Sequence, residues 1–137
     1  MDEPVEWLDD GSPYSPRFGD RYRSAIGGGM QQAEGVFLAG CGLPGAWAHQ
    51  PRWTILETGF GLGLNFLVAW DAWRRDPARP AQLHFVSVEA HPVALADLQR
   101  SAAAHPHLAP LVDLLALQYW GLRPGLHRLR LEQGRVL

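Results

Sequence analysis

Apolar positions along the chain change their spacing, and each change marks an element. Trp53 to Glu57 is a short run carrying Trp53, Ile55 and Leu56, which reads as a buried strand. From Leu64 the spacing becomes helical: Phe66, Trp70 and Trp73 fall at i, i+4 and i+7 and share one face of a helix reaching Arg75. Arg74 and Arg75 suit the negative end of that helix, and Pro77 and Pro80 forbid its continuation. Leu83 to Glu89 is a second strand. Pro92 is expected to open a further helix at a first-turn position, with Leu95, Leu98 and Ala102 as its apolar stripe and Pro106 as its stop. A last helix is predicted from Leu108 to Trp120, burying Leu111, Leu115 and Leu117. The tail from His127 to Leu137 alternates Leu and Arg, then turns near Gln133 and Gly134, which predicts a hairpin.

Upstream of these elements the pattern is weaker. Residues 1–50 form an arm rich in Gly, Pro and Ser, expected to pack on the unit formed by residues 51–137. Its apolar pieces, Phe18 to Tyr22 and Val36 to Leu38, read as short strands around the loop Gly27-Gly28-Gly29. Strand, helix, strand, helix opens a doubly wound parallel α/β sheet. The expected fold is therefore the N-terminal half of a Rossmann-like sheet with a β arm. A half-sheet exposes a strand edge, so self-association through that edge is expected.

Composition removes several function classes. The chain has 137 residues, 47% apolar and 19% charged, with a formal net charge of −2. That is a globular domain with no global basic field. All 12 basic residues are Arg. Cys41 is the single cysteine, which excludes an internal disulfide or a cysteine zinc site and suits a reducing cytoplasm. No apolar run is long enough to span a bilayer, so no membrane partner is expected. His105 and His107 flank Pro106 without a third ligand nearby, so no metal site is assigned.

The informative chemistry lies between the first strand and its helix, in Glu57-Thr58-Gly59-Phe60-Gly61-Leu62-Gly63-Leu64-Asn65. Glycine at alternate positions lets the turn adopt positive φ and lets a ligand lie against the main chain. The spacing fails the dinucleotide fingerprint G-x-G-x-x-G, whose third glycine would fall at Leu64 or Phe66. Acid-x-Gly-x-Gly-x-Gly resembles instead the first motif of S-adenosylmethionine methyltransferases. Glu89 closes the second strand, where an acid accepts hydrogen bonds from ribose hydroxyls. The candidate cofactor residues are Glu57, Gly59, Phe60, Gly61, Gly63, Asn65 and Glu89. The plain alternative is a tight strand–helix turn with a solvated carboxylate beside it.

The same residues, continued by Phe66, Leu67 and Trp70, resemble a narrower family: the bifunctional enzyme of 5-methylaminomethyl-2-thiouridine synthesis in tRNA, in its N-terminal methyltransferase domain. The likeness also takes in Gly11-Ser12-Pro13, Ser15, Phe18, Asp20, Tyr22, Ser24, Val36-Phe37-Leu38, Leu83-His84-Phe85, Ser87, Pro92, Ala96-Asp97-Leu98, His127-Arg128-Leu129 and Gly134-Arg135-Val136. The resemblance implies methyl transfer from S-adenosylmethionine to the aminomethyl nitrogen of a wobble uridine, with tRNA as partner and the cytoplasm as location. FAD belongs to a fused C-terminal oxidoreductase domain in two-domain members, and nothing here would form it.

Departures qualify the match. Ala90 stands where the family has Lys, Gln32-Ala33 where it has Glu-Thr, and Cys41 where it has Asn. The family's Asp-Gly-Phe-Ala-Pro segment, expected beside the methyl acceptor, would lie beyond Leu137, so no catalytic residue is assigned. Asp20 and Tyr22 are the candidates for lining a substrate pocket. The remaining readings are a non-catalytic remnant or another small-molecule methyltransferase.

Overall fold

The structure, a computed structural model, describes residues 2–23, 29–119 and 122–137. Its centre is a parallel pair of strands, β4 (Arg52–Thr58) and β5 (Gln82–Val88), joined through helix α1 (Leu64–Arg75). The helix has the bounds its sequence pattern predicts. Phe66, Trp70 and Trp73 are all buried, as the shared face requires. A large indole is buried cheaply only if its N–H finds an acceptor. Trp70 Nε1 donates to Glu132 Oε1 at 3.0 Å and Trp73 Nε1 to the Pro80 carbonyl at 2.8 Å. Helices α2 (Leu95–Ala102) and α3 (Ala109–Ala116) complete the core through Leu98, Leu111 and Leu115.

Strand register decides which side chains face that core. Trp53, Ile55 and Glu57 pair with Leu83, Phe85 and Ser87 on the covered face. Leu56 pairs with Val86 and Thr58 with Val88 on the other face, where Leu56 is 71% exposed. Among the described residues β4 pairs only with β5, so its outer edge is open.

The arm departs most from the expected pattern. It holds an antiparallel sheet of very short strands, β1 (Glu6–Trp7), β2 (Pro13–Ser15) and β3 (Asp20–Arg21), in that order. Of Phe18 to Tyr22, then, only two residues join a ladder, although the Tyr22 N–H still reaches the Pro13 carbonyl at 3.0 Å. Val36 to Leu38 is not a strand. It ends a π-helical segment, Gln32–Leu38, that buries Ala33 and Leu38 and sets Phe37 6.2 Å from Phe85. A short apolar run does not distinguish a strand from a buried helical turn. Gly27, Gly28 and Ser24 lie outside the described residues. The arm meets the core where the Glu3 N–H donates to the Pro92 carbonyl at 2.8 Å and Trp7 Nε1 to Asp97 Oδ1 at 2.9 Å.

That contact corrects the predicted start of α2. Val93 is 2% exposed and bridges Glu3 in parallel fashion, so the chain stays extended and the helix begins at Leu95 rather than around Pro92. It ends at Ala102, and Pro106 opens a 3-10 turn, Pro106–Leu108, ahead of α3. Helix α3 stops at Ala116, short of the predicted end; Leu117 is 72% exposed rather than buried, and Trp120 lies outside the described residues. The tail is not a long hairpin. Only Leu131 and Val136 pair antiparallel, around the turn Glu132–Gly134. Val136 is fully buried because the last residues run parallel along β5: Leu83 N–H to the Arg135 carbonyl at 2.8 Å, Leu137 N–H to the Leu83 carbonyl at 3.0 Å, and Phe85 N–H to the Leu137 carbonyl at 2.8 Å.

Candidate functional site

Parallel strands place their C-terminal ends side by side, so the glycine turn after β4 meets the residues after β5. The Gly59 N–H donates to the Val88 carbonyl at 2.7 Å and ties the two exits together. Gly59, Gly61 and Gly63 all have positive φ, at 83°, 54° and 73°. Their surroundings differ. A Cβ on Gly59 would meet nothing within 4 Å, so that face of the turn is open. On Gly63 it would sit 2.9 Å from Cζ of Phe60, whose ring stacks on Tyr119 at 6.1 Å and tilts against Phe66 at 6.2 Å. Gly63 thus serves packing and the start of α1, whereas Gly59 leaves room for a ligand.

Glu89 lies across the turn. Its Oε2 accepts the Gly61 N–H at 2.8 Å and its Oε1 accepts the His91 N–H at 2.8 Å. Each carboxylate oxygen retains a lone pair beyond the one these amides use. Glu57 behaves differently. It is buried, with Oε1 accepting from Asn65 Nδ2 at 2.9 Å and Oε2 from Ser87 Oγ at 2.9 Å. Burial pushes its carboxyl above the usual range, partly opposed by those two hydrogen bonds.

On the arm side of the turn is a cavity of about 390 Å³, lined by Tyr22, Arg23, Phe60, Gly61 and Asn65 among others. Burial raises the Tyr22 hydroxyl, with a hydrogen bond from Ser15 opposing. Asp20 is exposed, caps the Arg21 N–H at 2.7 Å and does not line this cavity. Gln32, Ala33 and Cys41, at three of the positions that depart from the family pattern, line it; Ala90 is exposed away from it. The site therefore brings together Gly59, Gly61, Asn65, Glu89 and Tyr22, sets Phe60 both on the cavity wall and against Phe66 and Tyr119, sends Gly63 into packing, and leaves Asp20 outside. Residues that the spacing did not single out are Arg23, whose guanidinium donates to the buried Ser101 hydroxyl, and Tyr119 beneath Phe60. A single Arg ahead of the glycine loop and a Tyr beyond the end of a helix carry no spacing pattern by which to find them. Among the described residues no group of three or more His, Cys, Asp or Glu side chains gathers to hold a metal ion, and no helix is long and apolar enough to cross a membrane.

A parallel strand–helix–strand unit with its glycine turn and acid at the carboxyl edge defines the opening half of a Rossmann-like α/β fold. A crystal structure of MNMC2 from Aquifex aeolicus has that fold, with a TM-score of 0.62 at 18% identity over 96% of this chain and 39% of that one. No protein-family model matches the chain. Among curated proteins the chain is similar, along its whole length, to the N-terminal part of the tRNA 5-methylaminomethyl-2-thiouridine biosynthesis bifunctional protein MnmC. Those of Polaromonas sp. (strain JS666) and Acidovorax sp. (strain JS42) are each 64% identical over 137 residues, 100% of this chain and 21% of the relative. That of Thiobacillus denitrificans is 57% identical over 127 residues, 93% of this chain and 20% of the relative. The chain spans about a fifth of the length of the relatives it matches.

Proposed function

We propose that the chain is the cofactor-binding part of an S-adenosylmethionine-dependent methyltransferase domain. Its substrate on this reading is the aminomethyl group of the wobble uridine in tRNA, taken from 5-aminomethyl-2-thiouridine to 5-methylaminomethyl-2-thiouridine. The observation that carries the reading is the open face of Gly59 beside Glu89 at the strand exits. The residues fit an adenosyl ligand in kind: the turn permits close approach to the main chain, and Glu89 keeps acceptor capacity for a ribose diol. The likeness to the tRNA-modifying relatives supports the substrate, and a tRNA substrate implies action in the cytoplasm.

S-adenosylmethionine supplies an electrophilic methyl on a sulfonium that already carries its leaving group. The protein's share is to bind, orient and exclude water. Glu89 and Gly59 hold the nucleoside, and the arm, through Tyr22, closes the cavity from the other side. The arm of residues 1–50 and the unit of residues 51–137 act together in this scheme. Pairing of two copies along the open β4 edge is a further part of the proposal.

Isothermal titration with S-adenosylmethionine tests the cofactor. Binding with a rise in unfolding temperature is expected; no heat and no shift at about 1 mM ligand, an affinity too weak to be specific, refutes it. Methyl label should pass from the cofactor to undermodified tRNA in the presence of the complete enzyme, and its failure to enter tRNA would refute the substrate.

A further inference from the structure

An ionised carboxylate only accepts hydrogen bonds, whereas a primary amide has a donating and an accepting end. Each Glu57 oxygen already accepts one hydrogen bond, from Asn65 Nδ2 and from Ser87 Oγ, and the side chain is buried on the covered face of the strand pair. Glu57, although it is the acid of the motif, is held inward by these partners and does not line the cavity. Its effect falls on Asn65. Turning that amide over would set oxygen against oxygen at 2.9 Å, so Glu57 fixes which end is which. Among the described residues no donor reaches Asn65 Oδ1, and Asn65 lines the cavity.

The other lining groups narrow what Oδ1 can receive. No carboxylate lines the cavity, and Arg23 is the charged side chain among its lining residues. Arg23 has no acidic partner among the described residues; its partner is the Ser101 hydroxyl. A lone cation would be repelled by Arg23, and a lone anion would find no use for an amide oxygen. A zwitterion with both charges on one carbon suits the pair. Gly61 borders this cavity and also donates to Glu89, so a nucleoside held at Glu89 has its remaining end beside Asn65.

We infer that Glu57 is a positioning residue which holds Asn65 with Oδ1 available to accept a hydrogen bond from the α-ammonium of the cofactor's amino-acid end. This rests on the cofactor reading above. The test compares S-adenosylhomocysteine with 5′-methylthioadenosine, which keeps the nucleoside and thioether but lacks the amino-acid end. Titrations use the 137-residue chain, with folding checked by circular dichroism. Asn65→Ala should weaken S-adenosylhomocysteine by roughly 10-fold or more, the worth of one hydrogen bond to a charged group, and leave methylthioadenosine within about 2-fold. Asn65→Leu, similar in size without polar atoms, should give the same selective loss if the smaller side chain unfolds α1.

Glu57→Gln should reproduce that selectivity, because Gln can donate to Oδ1 and let the Asn65 amide turn over. The double variant should then lose no more than Asn65→Ala alone, since Glu57 acts through Asn65. Equal weakening of both ligands by either variant, or losses that multiply in the double variant, overturns the inference while the cofactor reading stands. A wild-type chain that binds neither nucleoside overturns the cofactor reading and this inference together.

Discussion

Replacing Gly59 and Gly63 separately by Ala sets two roles of one turn against each other. Both residues lie at positive φ, 83° and 73°, where an L side chain costs about 1–2 kcal/mol. For Gly59→Ala that strain is the whole structural cost, because the new Cβ meets nothing within 4 Å. In a chain of this size it corresponds to a fall in unfolding temperature of roughly 3–7 °C. For Gly63→Ala the Cβ would sit 2.9 and 3.0 Å from Phe60 Cζ and Cε1. Phe60 cannot step aside freely, since Phe66 and Tyr119 flank its ring. Overpacking adds about 1–3 kcal/mol, so this variant should be clearly the less stable of the two.

Ligand affinity should rank the other way. The open face of Gly59 is where a ligand would lie on the main chain, and a methyl group there should cost S-adenosylhomocysteine roughly 10-fold or more, as for other core-sized steric insertions of about 1–3 kcal/mol. Gly63→Ala, wherever it remains folded, should bind within a few-fold of wild type. Thermal unfolding by circular dichroism and isothermal titration on the same samples read both quantities. Gly59→Ala binding as tightly as wild type would refute the close-approach argument. A Gly63→Ala chain more stable than Gly59→Ala would refute the packing argument.

Three further outcomes are expected. Burial raises the Glu57 carboxyl above its ordinary 4.5, so its contribution to stability is fully present below pH 4.5 and is lost as pH rises through the higher folded value. Glu57→Gln does not titrate and should therefore gain stability relative to wild type as pH rises from about 4.5 toward neutrality; a difference in unfolding temperature that stays flat with pH counts against it. Trp70→Phe removes the indole N–H bond to Glu132, which also pairs with Arg74 at 3.0 Å, and leaves a void at a fully buried position. It should cost about 2–3 kcal/mol in urea unfolding, and a loss below about 0.5 kcal/mol would show that the tail turn is not tied through this ring. The open edge of β4 and the exposed Leu56, Val86 and Val88 beside it should give concentration-dependent association by light scattering, weakened by Leu56→Lys; a monomer at every soluble concentration refutes that expectation.

What could be read in advance follows how local the determining contacts are. Helix α1 was legible to the residue because its apolar face, its terminal arginines and the prolines after it all lie within one stretch. The three arm strands were not, since elements of two or three residues carry no periodicity; they exist because Trp7 and Glu3 find partners on Asp97 and Pro92, some ninety residues away. The same long-range contact delays α2 by holding Val93 extended. In the tail, alternation of Leu and Arg suggested a self-contained hairpin, but β5 offers unpaired N–H and C=O groups along its free side, and the final residues satisfy them instead.

The site divides along the same line, and the division bears on chemistry. Spacing alone grouped the glycines and Glu89, and the structure sets them together at the strand exits. It grouped Glu57 with them because the motif does. Register separates it: residues 55 and 57 of β4 face the core, so Glu57 must point inward, toward Ser87, its partner in the pairing with β5. The motif acid thus meets Asn65 and Ser87 on the covered face. An inward carboxylate that is buried and hydrogen-bonded by side chains of α1 and β5 can act on a ligand only through what it holds. Of those two partners Asn65 lines the cavity, so the influence of Glu57 on any ligand runs through the orientation of that amide.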